Sequence, residues 1–134
     1  MNELLAAASE ARGNAYAPYS NYLVGAAVQD ERGTIHAGCN VENISYGGTI
    51  CAEQAAICRM ISEGGKRVAA IAVVTPDGGS PCGLCRQVIS EFSDELTVVY
   101  LRSPDEDSNV TTCLFDELLP NAFKSNLVTR TEEP

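Results

Sequence analysis

The apolar residues of this chain recur in two rhythms, one suited to helices and one to strands. From Asn2 to about Tyr16, Leu4, Leu5, Ala8, Ala11 and Ala15 return at helical spacing among polar residues, which predicts an amphipathic helix at the start. Ala17-Pro18-Tyr19-Ser20 breaks that pattern. Tyr22 to Val28 reads as a strand, Asp30-Glu31-Arg32-Gly33 as a turn, and Thr34 to about Cys39 as a second strand that can pair back in a hairpin. The stretch from Asn40 to Gly48 is polar and turn-rich, the kind of loop that often carries function.

Beyond it, Cys51 to Glu63 places Ala52, Ala55, Ala56 and Met60 on a helical face, and Gly64-Gly65 supplies a stop. Val68 to Val74 is continuously apolar, as expected of a central strand covered on both faces. A loop from Thr75 to Ser80 leads into a helix starting at Cys82, with Val88, Ile89 and Phe92 turned inward, and then a strand from Leu96 to Leu101. Arg102 to Asn109 is a charged loop, Val110 to Cys113 a short edge strand, and Leu114 to Leu119 a last helical turn. Helices alternating with apolar strands predict a three-layer α/β/α sandwich, a mixed central sheet with helices on both faces. The length of 134 residues suits a single domain, taken as 1–134.

Charge and cysteine usage then restrict what this domain can do. A formal charge of −9 repels a phosphate backbone, which argues against nucleic acid as a partner. No apolar run approaches the roughly 20 residues of a membrane span, and Met1-Asn2-Glu3 lacks the basic start of an export signal. The expectation is a cytoplasmic protein with no membrane partner. In that setting the six cysteines read as reduced thiols and metal ligands rather than disulfides.

Two short stretches carry the chemistry, Cys51-Ala52-Glu53 and Pro81-Cys82-Gly83-Leu84-Cys85. The C-x-x-C spacing lets Cys82 and Cys85 bind one tetrahedral ion from a single turn, with Cys51 as a third ligand. Structural zinc sites close with four protein ligands, whereas a catalytic site uses three and leaves a position for water. Glu53 then stands as the proton carrier beside one zinc ion per chain. Both stretches open helices, whose N-terminal dipoles favour thiolates. His36, the single histidine, falls mid-strand beside charged and turn residues and is expected to be an ordinary exposed side chain. Cys39, Cys58 and Cys113 sit in apolar settings and are expected to pack as small hydrophobes. The residues alone leave two classes open: a zinc hydrolase, or a non-catalytic zinc or redox module, since C-x-x-C is also a dithiol motif.

Five blocks in order resemble the small, homotetrameric cytidine deaminase family over roughly Ala17 to Phe123. They are Tyr19 to Ala27, Gly38 to Asn43, Cys51-Ala52-Glu53, Pro81 to Gln87, and Leu118-Leu119-Pro120-Asn121-Ala122-Phe123. The resemblance implies zinc held by Cys51, Cys82 and Cys85, attack of activated water on C4 of the cytosine ring, and Glu53 as general acid and base. Cytidine or deoxycytidine would become uridine or deoxyuridine plus ammonia, as in pyrimidine salvage. It further implies that Tyr22 belongs to the substrate pocket and that Asn40 and Glu42 hold the ribose hydroxyls. Backbone groups near Ala52 and Ser80 would read the base edge. Phe123 would reach into a neighbour's pocket in a homotetramer with shared active sites. Gln54 stands where three-cysteine members of the family frequently carry an arginine, which leaves the helix dipoles and Arg86 to compensate the charge of the sulfurs. Ile44 and Gly48 replace the family's more usual alanine and leucine, so a modified cytosine nucleoside such as blasticidin S is the competing substrate.

Overall fold

The computed structural model describes residues 1–125, so residues 126–134 of the expected domain lie outside the described residues. The elements are α1 (Asn2–Arg12), β1 (Gly25–Asp30), β2 (Ile35–Cys39), α2 (Ala52–Ser62), β3 (Val68–Val74), α3 (Gly83–Phe92), β4 (Val98–Arg102) and β5 (Thr111–Leu114). Short 3₁₀ turns occur at Tyr46–Gly48 and Phe115–Glu117. The strands form one sheet in the order β2-β1-β3-β4-β5. Only β3 and β4 run parallel, joined through α3, and the other neighbours are antiparallel. The expected sandwich is present, with β3 at the centre, α1 on one face, and α2 and α3 on the other.

Strand pleating sorts the apolar side chains between the two faces. Ala26 and Val28 of β1, with Ile71 and Val73 of β3, pack against Ala56, Ile57 and Met60 of α2 and Ile89 of α3. Ala27, Ala70, Ala72 and Val74 face the other way, onto Leu4, Leu5 and Ala8 of α1. The α1 side is therefore built from small residues, and the helix lies close. A Cβ on Gly25 would stand 1.9 Å from the carbonyl oxygen of Ala8. On the opposite face, a Cβ on Gly38 would stand 2.7 Å from the amide nitrogen of Ala56 in α2. These two glycines let both helices sit down on the β1–β2 hairpin, which fixes the helix whose first turn carries the site. Ile57 and Ile89 are buried, and truncating either to alanine would cost about 2–5 kcal/mol.

Several boundaries differ from the sequence reading for local reasons. Helix α1 stops at Arg12 because Gly13 and Asn14 turn the chain, their amides bonding to the carbonyls of Glu10 and Ala11. Strand β1 begins at Gly25, not at Tyr22. Asn21 adopts a left-handed backbone (φ 59), and the Asn40 amide occupies the carbonyl of Tyr22 and the N–H of Val24 that a ladder would have used. Strand β4 is shifted to Val98–Arg102, and the last helical turn shortens to Phe115–Glu117.

His36 corrects an expectation: it is 1% exposed. Its Nε2 lies 2.8 Å from Asp30 Oδ2 and its Nδ1 lies 2.6 Å from Glu63 Oε1. The ring is thus engaged at both nitrogens by carboxylates from two different segments, the hairpin turn and the end of α2. Arg32 contacts Asp30 at 2.9 Å and Arg59 contacts Glu63 at 3.5 Å, which extends the group at both ends. Asp30 Oδ1 meanwhile accepts the N–H groups of Arg32 and Thr34 and so holds the hairpin turn. Burial by itself would raise the Asp30 carboxyl. Hydrogen bonds from His36, Arg32 and the turn backbone outweigh it and hold the pKa down at about 2. Of the three other cysteines, Cys113 packs against the core as expected and Cys39 is half-buried. Cys58 is exposed on α2, because its position turns away from the sheet.

Candidate active site

The N-terminal ends of α2 and α3 converge. Cys51 is the N-cap of α2 and Cys82 the N-cap of α3, both with extended backbone, and Cys85 follows in the first turn of α3. Neither cap position makes a side-chain hydrogen bond to its own helix, so the two sulfurs stay available. The three Sγ atoms lie within 4.8 Å of one another. Sulfurs at about 2.3 Å from a tetrahedral zinc would be separated by about 3.8 Å, so the cluster suits that ion with little adjustment. The donor set agrees, being three soft thiols, with no fourth ligand grouped with them among the described residues. Cys51 and Cys85 also answer to each other. A hydrogen bond from Cys85 draws the Cys51 thiol downward, while the same contact, followed by burial, pushes Cys85 upward. The Cys51–Cys85 pair therefore shares a proton that a cation bound at the sulfurs would displace.

Glu53, the second residue of α2, is 5% exposed. Burial pushes its carboxyl pKa up, against smaller opposing hydrogen bonds from its own backbone amide and from Cys85. A carboxyl shifted toward neutrality can both take up and release protons, which suits a general acid and base.

The cysteines and Glu53 line a pocket of about 200 Å³. Of the residues expected from the sequence, Tyr22, Asn40, Ala52 and Ser80 line it as well. Asn40 is 8% exposed, and its amide is already tied on one side to the Tyr22 carbonyl at 2.8 Å and to the Val24 amide at 3.0 Å. Gln54 sits behind the sulfurs, its Nε2 3.8 Å from Cys85 Sγ. Arg86 is directed elsewhere, donating to the carbonyls of Pro81 at 2.8 Å and Leu118 at 2.7 Å. It thereby braces the Pro81-Cys82 turn against the C-terminal segment.

Two expected residues stand outside this pocket. The Glu42 carboxylate accepts the amides of Tyr19 and Ser20 and the Ser20 hydroxyl. Those bonds, the Ser20 hydroxyl first, hold its pKa below the usual range. Phe123 is 83% exposed, with its carbonyl accepting a hydrogen bond from Gln87 at 3.0 Å. Val24, Thr49 and Thr75 line the pocket without having been singled out from the sequence. A signal existed for Thr75, a polar residue directly after the apolar run of β3, at the strand end where α/β folds place ligands. Thr49 carried no comparable signal.

The geometry has clear parallels. A model described as the cytidine and deoxycytidylate deaminase zinc-binding region matches residues 1–101. A cytidine deaminase of Sporosarcina psychrophila is 46% identical over 125 residues, covering 92% of this chain and 90% of that protein. One from Mycobacterium tuberculosis is 42% identical over 124 residues, covering 91% and 88%. The crystal structure of cytidine deaminase from Burkholderia pseudomallei superposes with a TM-score of 0.84 at 42% identity, covering 91% of this chain and 98% of that one. Three converging thiols, a buried glutamate beside them and similarity over nine-tenths of the chain agree: the chain belongs to the cytidine and deoxycytidylate deaminase family and carries its zinc-binding region.

Proposed function

We propose that this protein deaminates cytidine and deoxycytidine by hydrolysis, using one zinc ion held by Cys51, Cys82 and Cys85. The observation that carries the reading is the placement of buried Glu53 in the same pocket as a three-thiol cluster at two helix N-termini. When bound, zinc supplies Lewis acidity toward water at the position that the protein leaves open. The net reaction adds water at C4 of cytosine and breaks the bond to the exocyclic amine, giving the uracil nucleoside and ammonia. Glu53 takes a proton from the water and delivers it to ring N3, then takes the second proton from the hydroxyl added at C4 and passes it to the departing amine nitrogen.

The remaining residues bind and orient. Asn40 keeps one N–H and one lone pair beyond its two structural bonds, enough for a ribose hydroxyl. Glu42 holds the 19–20 backbone beside the pocket and offers its one remaining lone pair to the sugar. Backbone groups of Ala52 and Ser80 face the base edge, and Tyr22 forms a side wall. Phe123, so widely exposed in one chain, completes the pocket of a neighbouring subunit in a homotetramer, and residues 1–134 act as one catalytic domain in the cytoplasm. No helix among the described residues is long and apolar enough to cross a membrane. Light scattering checks the assembly: a fully active monomer would remove the shared-site role of Phe123.

The test of the reading is a substrate panel. The zinc-loaded protein should lower the absorbance of cytidine and deoxycytidine solutions and act poorly on free cytosine, which offers Asn40 and Glu42 nothing to hold. Equal efficiency on cytosine would remove the sugar contacts, and preference for blasticidin S would replace the substrate. Zinc near one per chain without turnover of any of these would reduce the protein to a binding module.

A further inference from the structure

The side wall of the pocket is fastened from outside. Tyr22 lines the pocket, but its hydroxyl donates to Asp77 Oδ1 at 2.7 Å, and Asp77 does not line the pocket. The same carboxylate oxygen accepts the Thr75 hydroxyl at 3.2 Å and the Gly79 amide at 3.1 Å. The Gly79 amide also reaches Thr75 Oγ, at 2.8 Å. Thr75 and Ser80 also line the pocket, and both lie on the segment that runs from β3 into Pro81-Cys82. Tyr22 is held at its backbone as well, by Asn40 on its carbonyl and by Ser20 Oγ on its amide at 3.0 Å.

We propose that Asp77 is a positioning residue for the nucleoside pocket, clamping the Tyr22 ring and the 75–80 loop into one wall of fixed width. The proposal rests on the cytidine reading above for its substrate, though not for its geometry. Two pocket walls come from segments more than fifty residues apart in sequence, and this hydroxyl–carboxylate contact is what joins them at the rim. A ring anchored only through its backbone would rotate about its side-chain bonds, and the base would meet a wider slot. The exposed position of Asp77 leaves its carboxylate free of any burial demand, so the loop acid is accounted for by what it holds. The Tyr22 hydrogen bond also holds the Asp77 carboxyl below its usual range, which keeps it an acceptor at neutral pH. Because the clamp's hydrogen bonds run among Tyr22, Thr75, Asp77 and Gly79 and include neither a thiol nor Glu53, its loss should weaken substrate binding and spare the chemical step.

The test uses zinc-loaded, full-length protein in three variants. Tyr22→Phe removes only the hydroxyl, Asp77→Ala removes the acceptor, and Asp77→Asn keeps a carbonyl oxygen in its place. Tyr22→Phe and Asp77→Ala should each raise KM for cytidine about 3- to 10-fold, the range of one hydrogen bond net of water, with kcat within about twofold. The double variant should be no worse than Asp77→Ala alone, since removing the acceptor already breaks the one contact that Tyr22→Phe removes. Asp77→Asn should restore most of the KM. Hydrogen exchange gives a readout that needs no substrate: protection of the Gly79 and Ser80 amides should fall in Tyr22→Phe and Asp77→Ala. An unchanged KM in Tyr22→Phe overturns the clamp, and so does a fall in kcat accompanied by loss of zinc. If the wild-type protein does not turn over cytidine, the functional reading fails by itself. Amide protection then decides the clamp, with unchanged protection in both variants sinking it.

Discussion

Helix α2 carries a buried polar cluster at each end, and the two differ in whether the chain completes them. At its C-terminal end, His36 lies between Asp30 and Glu63, with Arg32 and Arg59 on the outer sides, so each carboxylate meets an arginine and a ring nitrogen within the protein. At its N-terminal end, Cys51, Cys82, Cys85 and Glu53 all become negative on losing a proton, and the side-chain donor at hand is the neutral amide of Gln54. The helix dipole favours the anions at the N-terminal end, whereas Glu63 at the C-cap is offset by its own partners, Arg59 and His36. What separates them is closure. The self-satisfied cluster is structural, whereas the cluster that lacks its cation is where a dication and chemistry belong.

The largest effect should come from breaking the open end. Cys85→Ala should drop zinc from near one per chain to a small fraction, measured by atomic absorption, and lower turnover with it by at least about hundredfold. Breaking the closed end should act on stability instead. His36→Leu removes one buried partner of Asp30 while Arg32 and the turn amides remain, and should cost about 1–3 kcal/mol in urea unfolding, the range for a lost buried hydrogen bond, while zinc content and KM stay as in wild type. Loss of zinc in this variant would show that the two ends are coupled through the helix.

A gentler test of the closed end uses acid. The folded pKa of Asp30 is depressed to about 2 from an ordinary value of 3.8, so its contribution to stability is full above 3.8 and is lost as pH falls toward 2. The urea midpoint of the wild type should therefore decline below about pH 4 more steeply than that of Asp30→Asn, which has no proton to take up. Parallel declines would remove Asp30 from the acid response. The smallest effect belongs to Gln54. Gln54→Ala removes a weak N–H to Cys85 and should slow turnover by less than about tenfold without ejecting zinc. No change at all would show that residue 54 does not act on the sulfurs.

The same contrast explains which parts of the molecule could be read in advance. The open end is encoded locally: a C-x-x-C turn and a Cys-Ala-Glu triplet each begin a helix, so their spacing already groups three thiols with a nearby glutamate. The continuous apolar run of β3 announced the middle of the sheet in the same way. The closed end is assembled at long range. His36 reads as a polar residue on a short strand until the hairpin brings Asp30 beside it and α2 delivers Glu63 from 27 residues further along. The start of β1 was obscured for a related reason. Tyr22 to Val24 has strand-like residues, but the Asn40 side chain, from beyond the hairpin, takes the hydrogen bonds that would have extended the ladder. Arg86 was read as a neighbour of the sulfurs because it directly follows Cys85, and its side chain turns instead to two backbone carbonyls.

The central claim is that Glu53 moves protons beside a metal held only by the three thiols. Its most direct test is Glu53→Gln, with zinc content and cytidine turnover measured on the same preparation. The substitution preserves shape and touches no ligand, so zinc should remain near one per chain while turnover falls by at least 10²- to 10⁴-fold, the scale of general acid–base catalysis. A variant that keeps its zinc and more than about a tenth of the wild-type rate would contradict the account.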